Sequence, residues 1–222
     1  MKPASVSFDV DNAVKELRKL VKRWNIPYVT GHSRSARSPF TVLISTILSS
    51  RTKDEVTGIA SERLFARAAT PQKIAELDET EIARLIYPVG FYNTKARRIK
   101  EVCKILLEEY NSRVPSTIDE LLKLPGVGRK TANLVIALGF NKPGICVDTH
   151  VHRITNRWGL VHTKAPRETE QRLRQILPRH YWIEFNTLLV GFGQNICKPI
   201  SPLCSRCPLD TSCPKSSVSR RR

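Results

Sequence analysis

The chain has 222 residues, 41% of them hydrophobic, which is enough for one large folded domain or two modest ones. Its 37 Lys and Arg against 20 Asp and Glu give a formal charge of +17. This excess favours a polyanion as partner, because self-repulsion of this size has to be offset. No apolar run approaches the ~20 residues of a membrane span, and the start, MKPASVSFDVDN, lacks the apolar core of a secretion signal.

Apolar residues recur at helical spacing nearly throughout, with no convincing alternating strand, so the predicted fold class is all-α. Thr70 before Pro71 is typical of a helix start, and Asp78 followed by Glu81 resembles a capping box. We expect the basic tail, residues 216–222, to be disordered. Helices are predicted over residues 10–24, 40–48, 53–65, 94–110, 117–124, 129–138 (closed by Gly139), 167–177 and 180–196, with others starting after Thr70, Asp78 and Asp148.

The stretch LPGVGRKTANLV, residues 124–135, joins two of these helices by a very short turn. Gly126 and Gly128 can adopt positive φ without a side-chain penalty and can let a bulky partner approach the backbone. The helix that follows offers unpaired N–H groups and a positive dipole end, which suit a phosphate oxygen, and Arg129 adds charge. An ordinary glycine-capped turn is the alternative, and the charge of +17 favours the phosphate site.

Lys130 lies in the first turn of that helix, where the positive end of the dipole disfavours a cation. A local rule that is broken without local gain often marks a functional site. An exposed lysine also tolerates this placement, at a cost of only ~0.3 kcal/mol. Asp148 precedes a later helix, where it suits an N-cap worth ~1 kcal/mol.

Four cysteines, Cys197, Cys204, Cys207 and Cys213, fall within 17 residues and suit one tetrahedral or cubane metal site. Zinc sites usually show two pairs of close cysteines, whereas only one C-x2-C is present here. The spacing also differs from the ferredoxin patterns, so it leaves zinc and iron–sulfur both open. Cys103 and Cys146 stand alone and are expected to be buried structural residues.

Several of these segments together resemble the helix-hairpin-helix DNA glycosylases, most closely the endonuclease III family of base-excision repair enzymes. They are LPGVGRKTANLV, VDTHVHR with Asp148 at 18 residues after Lys130, SPF at 38–40, GFYNTK at 90–95, and the four cysteines. The resemblance covers nearly the whole chain. It implies a two-domain fold, with residues 32–142 as a six-helix domain containing the hairpin. Residues 1–31 and 143–215 would then form the cluster domain.

The same resemblance implies the roles of particular residues. Lys130 would be the nucleophile of a bifunctional DNA glycosylase and abasic-site (AP) lyase, assisted by Asp148. The four cysteines would hold a [4Fe-4S] cluster, which fixes a loop that carries Lys198 towards a phosphate. The hairpin residues expected at the DNA are Gly126, Val127, Gly128 and Arg129.

Arg51 departs from the family, which usually has glutamine at this position. That glutamine resembles a plug for the gap left by a flipped base, and Phe91 is the matching wedge position. The planar fork of an arginine suits the O6 and N7 acceptors of an orphaned guanine, so we expect Arg51 to fill the gap and favour lesions opposite guanine. A phosphate contact by Arg51 is the alternative.

The expected partner is double-stranded DNA that contains damaged pyrimidines or abasic sites, with the damaged nucleotide flipped out of the stack. We expect a monomer in a prokaryotic or archaeal cytoplasm, at the nucleoid. Two alternatives stay open: a thymine or uracil mismatch glycosylase on the same scaffold, and a non-catalytic iron–sulfur protein that binds DNA. Lys130 and Asp148 count against the second.

Overall fold

The computed structural model describes residues 8–24, 29 and 38–222. All regular secondary structure in this part of the chain is helical, which confirms the predicted fold class. No helix within it is both long and apolar enough to cross a membrane. The chain divides into two compact units, Met1–Ile26 with Val147–Arg222 and Pro27–Cys146. The domain boundary expected between residues 31 and 32 lies outside the described residues.

The unit Pro27–Cys146, called the hairpin unit here, is built around helix α2. The sequence of α2, PFTVLISTILS, is almost wholly apolar, and Phe40 and residues 42–48 are buried. Helix α2 packs against helices α3, α6 and α8, so it forms the centre of the hydrophobic core. Within residues 38–146, the α-helices of this unit are α2 (Pro39–Ser49), α3 (Asp54–Arg67), α4 (Pro71–Glu76), α5 (Glu79–Ile86), α6 (Tyr92–Glu109), α7 (Ile118–Leu121) and α8 (Arg129–Leu134).

Two predicted helix starts in this unit have different outcomes. The hydroxyl of Thr70 accepts a hydrogen bond from the backbone N–H of Lys73, with Pro71 in the first helical turn, as expected. Asp78 occupies the N-cap of α5, but its side chain makes no capping bond. The predicted capping box is wrong, because the Glu81 carboxylate pairs instead with Arg67 at 2.9 Å.

Helix α8 does not continue as an α-helix to residue 138. It passes into a π-helical turn, Val135–Gly139, that packs on α2. Gly139 is not among the residues with positive φ, so it is not the left-handed cap that was expected. A Cβ at Gly139 would lie 2.8 Å from the Cα of Pro39. A side chain is therefore excluded here by close packing against the start of α2.

The second unit, called the cysteine unit, contains α1 (Val10–Val21), α9 (Thr149–Arg157), α10 (Pro166–Ile176) and α11 (Trp182–Asn195). Helix α11 packs against α1 and α9. The indole ring of Trp158 stacks on Phe8 at 4.7 Å and lies near Phe185 and Phe192. Trp158 and Phe192 of this aromatic core also border the segment that carries the four cysteines.

The basic tail, residues 216–222, which was expected to be disordered, makes backbone hydrogen bonds at both of its ends. The backbone N–H of Ser216 donates to the carbonyl of Arg157 at 3.0 Å. At the other end, the N–H of Arg222 donates to Pro202, and its carbonyl accepts from Ser205. Composition alone does not predict these hydrogen bonds, because the partners of the tail's backbone lie in distant parts of the sequence.

Candidate active site

The turn between α7 and α8 uses its two glycines differently. Gly126 has a φ of 77°, as expected, whereas Gly128 has an extended backbone with a φ of −98°. Val127 between them is buried, and its N–H donates to the carbonyl of Leu124. A Cβ on Gly128 would meet no atom within 4 Å. The turn is thus fixed to the core through Val127, while its outer face at Gly128 stays open to a partner.

Lys130 follows this turn as the second residue of α8, and it is exposed. The N-cap of the helix is Gly128, which has no side chain to cover the first N–H groups. Arg129 beside it is half-buried. An amine at this place is accessible to a ligand that approaches the open face of the turn.

Asp148 belongs to the cysteine unit and is the N-cap of α9, as its position predicted. Its Oδ1 atom accepts hydrogen bonds from the backbone N–H groups of His150 and Val151, both at 2.9 Å. Because both bonds end on the same oxygen, the carboxylate has a fixed orientation. The side chain is half-exposed, so the cap does not bury its charge.

Arg51 and Phe91 come together at the tips of two neighbouring loops in the hairpin unit. The Cζ atom of Arg51 lies 5.7 Å from the centroid of the Phe91 ring, within cation–π range. Phe91 is 63% exposed, and Arg51 is also exposed. The loops line a cavity of about 380 Å³, whose lining residues are Ser50, Arg51, Phe91, Thr94, Lys95 and Arg98.

Sequence reasoning missed Lys95 and Arg98 in this region. Lys95 is 5% exposed and donates to the carbonyls of Leu48, at the end of α2, and Ser50, in the Arg51 loop, although a buried lysine is rare. The available signal was its spacing, since Lys95 shares a helix face with the buried residues Ile99 and Val102. The Cδ of Arg98 would be 3.1 Å from a Cβ on Gly126, so Arg98 links this cavity to the hairpin turn.

The four clustered cysteines line one cavity in the cysteine unit, with a volume of about 20 Å³. Burial raises the pKa of Cys207 to about 11 and also raises the pKa values of Cys204 and Cys213. Without a metal these thiols are therefore protonated at neutral pH. Cys103 and Cys146 are buried elsewhere, as predicted.

Four thiols around one cavity are the donor set expected for an iron–sulfur cluster. Among the described residues, no three His, Cys, Asp or Glu side chains are close enough to hold one metal ion. The four thiols instead stand around a common space, as ligands of an iron–sulfur cube do. The donor set therefore agrees with the cofactor that the sequence suggested.

Arg157 organises the cysteine segment, and sequence reasoning missed it. This buried side chain donates to the Sγ of Cys197 at 3.3 Å and to the carbonyls of Lys198 and Pro199 at 2.7 and 2.5 Å. Its own carbonyl accepts from the Cys213 thiol and from the Ser216 N–H. One residue thus ties α9 to both ends of the segment, and Lys198 is placed by this network.

Comparison with known proteins agrees with this architecture. Residues 44–179 match the model of the HhH-GPD superfamily of base excision DNA repair proteins. The chain is 49% identical over 201 residues to "Endonuclease III" of Thermotoga maritima, a match that covers 90% of this chain and 92% of that protein. It is 50% identical over 186 residues to "Endonuclease III homolog 2, chloroplastic" of Arabidopsis thaliana, covering 80% of this chain but only 48% of the plant protein.

A solved structure, "Structure of a non-covalent Endonuclease III-DNA Complex", matches with a TM-score of 0.82 and 35% identity, over 93% of this chain and 94% of that one. The superfamily match defines the class as a helix-hairpin-helix base-excision repair protein. Within that class, the chain belongs to the endonuclease III family. It is accordingly an enzyme of the DNA glycosylase and AP lyase type.

Proposed function

We propose that the chain removes oxidised or saturated pyrimidines from duplex DNA and cuts the resulting abasic strand, with Lys130 as the nucleophile. The observation that carries this proposal is the exposed amine of Lys130 in the first turn of α8, next to the open face of the hairpin turn. An exposed lysine at the positive end of a helix has no stabilising local role. Its placement is explained if it reacts with a bound substrate.

The chemistry suits a lysine. The unprotonated Lys130 nitrogen attacks C1′ of the damaged nucleotide, and the base leaves with the electrons of the C1′–N bond. The sugar ring opens to give an imine between Lys130 and C1′. The imine acidifies C2′, so loss of a C2′ proton expels the 3′ phosphate and cuts the strand. Water then releases the lysine from the product.

Asp148 has two compatible tasks in this scheme. The cap through Oδ1 holds the carboxylate in one orientation. Its negative charge then stabilises the cationic sugar that develops in the transition state, or it accepts the lysine proton as attack proceeds. The second task needs the charge, whereas the cap needs only a hydrogen-bond acceptor.

The DNA contacts follow from the exposed surfaces. Gly126, Val127, Gly128 and Arg129 supply a turn whose open face suits a phosphate group. Lys198, held by the Arg157 network, supplies a second phosphate contact. Arg51 and Phe91 enter the gap that the flipped nucleotide leaves. A [4Fe-4S] cluster held by Cys197, Cys204, Cys207 and Cys213 would keep the Lys198 loop in place, which makes its role structural.

One assay tests the proposed activity. Duplexes that carry an oxidised pyrimidine, a saturated pyrimidine, a G·T or G·U mismatch, or an abasic site are incubated with the protein, and base release and strand cleavage are measured. We expect release and cleavage with the first two and cleavage of the abasic duplex. Preference for the mismatches would favour the thymine or uracil glycosylase. Absence of both activities with every duplex would make the protein a non-catalytic DNA binder.

Borohydride trapping tests the nucleophile. Added during turnover, borohydride reduces the imine and leaves a covalent protein–DNA adduct. We expect Lys130→Gln to abolish the adduct, while Lys123→Gln, at an exposed lysine on the other side of the turn, keeps it. Full adduct from the Lys130→Gln protein would make the assignment of Lys130 wrong.

Sedimentation of the complex with DNA checks the proposal that the protein acts as a monomer.

A further inference from the structure

Lys95 is a buried cation that the proposed chemistry does not use. It lies in the first turn of α6 and is 5% exposed, although burying a lysine charge is costly unless its N–H groups are satisfied. Lys95 has three partners. The ammonium donates to the carbonyls of Leu48 and Ser50 at 2.8 and 2.6 Å and to the hydroxyl of Thr52 at 3.1 Å. All three acceptors belong to the end of α2 and the loop that follows it.

These acceptors give Lys95 a defined local task. Helix α2 ends at Ser49, and the carbonyls at a helix C-terminus have no partner within the helix. A cation at this end also complements the helix dipole. Lys95 therefore closes the C-terminal end of α2 from a different helix, and by doing so it fixes the backbone on both sides of Arg51.

The loop that carries Phe91 is fastened to the same point. The hydroxyl of Thr52, which accepts from Lys95, also accepts from the N–H of Gly90 at 3.1 Å. A Cβ on Gly90 would lie 2.6 Å from the carbonyl oxygen of Arg51. The two loops are therefore in direct backbone contact, with Thr52 bonded to both Lys95 and Gly90.

Arg51 and Phe91, which lie next to these bonded residues, both have unusual backbone conformations. Arg51 has a φ of 52° and Phe91 a φ of 58°, in the left-handed region that side chains other than glycine disfavour. Such conformations persist only where the surroundings impose them. The hydrogen bonds made by Lys95 and Thr52 are the restraints that impose the left-handed conformations of Arg51 and Phe91.

We propose that Lys95 is a positioning residue for duplex opening: its ammonium, through Thr52, holds Arg51 and Phe91 at the spacing needed to enter the gap left by the flipped nucleotide. This inference rests on the proposed function of Arg51 and Phe91. On this account, Arg51 and Phe91 are held in position by hydrogen bonds that are already formed in the free protein. Lys95 touches neither the lesion nor the reacting sugar.

A binding experiment without chemistry tests this role. All variants are made in the Lys130→Gln protein, and the probe is a duplex with 2-aminopurine opposite a tetrahydrofuran abasic-site analogue. Saturating protein should raise the 2-aminopurine fluorescence, because side chains that enter the stack displace its neighbours. We expect Arg51→Ala to abolish most of this rise, and Lys95→Met and Thr52→Val to reduce it to less than half. Lys100→Met is the matched control, since Lys100 also lies on α6 and donates to a carbonyl, that of Leu77, away from the wedge.

The outcomes separate this inference from the proposed function. If Arg51→Ala keeps the full rise, the insertion role of Arg51 is wrong and the positioning role falls with it. If Arg51→Ala loses the rise while folded Lys95→Met and Thr52→Val keep it, only the positioning role is overturned. Should Lys95→Met fail to fold, Thr52→Val decides alone. Loss of the rise in Lys100→Met as well would mean that general destabilisation causes the effect, which also overturns the inference.

Discussion

The guanidinium carbon of Arg51 lies 5.7 Å from the centre of the Phe91 ring, and both residues hold left-handed backbones on adjacent loops. The two exposed side chains thus form one unit at the rim of a cavity that also contains Arg98. A planar cation next to an aromatic ring can stack among bases as well as donate hydrogen bonds to them. We therefore expect recognition of the base opposite the lesion to depend on this pair.

Replacing Arg51 with Gln should change how the enzyme treats the opposite base. If the guanidinium reads O6 and N7 of guanine, the ratio of cleavage rates opposite guanine and adenine should fall, by about tenfold for a loss of ~1.4 kcal/mol. A phosphate contact would weaken all duplexes equally and reduce the salt slope by about one. Single-turnover rates with both opposite bases distinguish the two, and an unchanged ratio rules out guanine reading.

The substitution Asp148→Asn should keep the helix-capping role of this residue and remove its negative charge. Asparagine caps helices about as well as aspartate, so the free energy of unfolding should change by less than ~0.5 kcal/mol, whereas Asp148→Ala should lose ~1 kcal/mol. The single-turnover rate of Asp148→Asn should nevertheless fall by about 10²–10⁴. Urea unfolding and cleavage kinetics on the same samples provide the check. Wild-type rates in Asp148→Asn would show that the residue is only a cap.

Gly128→Ala tests whether the open face of the hairpin contacts DNA. In the free protein an alanine meets no neighbour and keeps an allowed backbone, so stability should hardly change. Gly126→Ala should lose ~1 kcal/mol or more, because alanine disfavours a φ of 77°. We expect Gly128→Ala to bind undamaged duplex several-fold more weakly at low salt, by fluorescence anisotropy. Unchanged affinity would argue against a phosphate at this turn.

Arg157→Lys should lose the cluster while keeping the charge. A lysine cannot reproduce the fork that reaches Cys197, Lys198 and Pro199 together. We expect purified Arg157→Lys to contain much less iron per chain, with a weaker visible absorption. Arg206→Lys, at an exposed arginine in the same segment, is the matched control and should load normally. Stoichiometric zinc in anaerobically prepared wild-type protein would refute the cluster itself.

Lys95 should leave a signature in the pH dependence of stability. Burial lowers the pKa of Lys95 to about 8, from an ordinary value of 10.5. Between these values the unfolded chain binds more protons than the folded one, so this residue makes the free energy of unfolding rise with pH across that window. Urea unfolding at about pH 7.5 and about pH 10 should give a smaller rise in Lys95→Met than in Lys100→Met. Equal slopes in the two variants would contradict the lowered pKa.

Much of the local structure follows directly from the sequence. The apolar run of α2 predicted the centre of the hairpin unit, because a helix that is apolar on all sides has to be buried. Thr70 and Asp148 are N-caps as expected, since each precedes a helix with a side chain that accepts from its first turn. Such features depend on neighbours within a few residues, which a single sequence displays.

The interactions that position the candidate site were harder to predict. Lys95 bonds residues 40 or more positions away, and Arg157 does the same with Cys197 and Lys198. Both occupy buried helix faces where composition rules would place apolar residues. The π-turn at Val135–Gly139 packs closely against Pro39, and the backbone of the tail pairs with Pro202 and Ser205. Long-range partners of this kind leave no local pattern.

The Arg157 network also bears on the order in which the protein matures. In a zinc finger the ligands are brought together by the metal, so the segment is unfolded without it. Here a guanidinium holds the first half of the cysteine segment, and the Arg157 carbonyl holds the second. These contacts use only protein atoms, so we expect the segment to keep its course before any cluster is bound, and cluster insertion to follow folding.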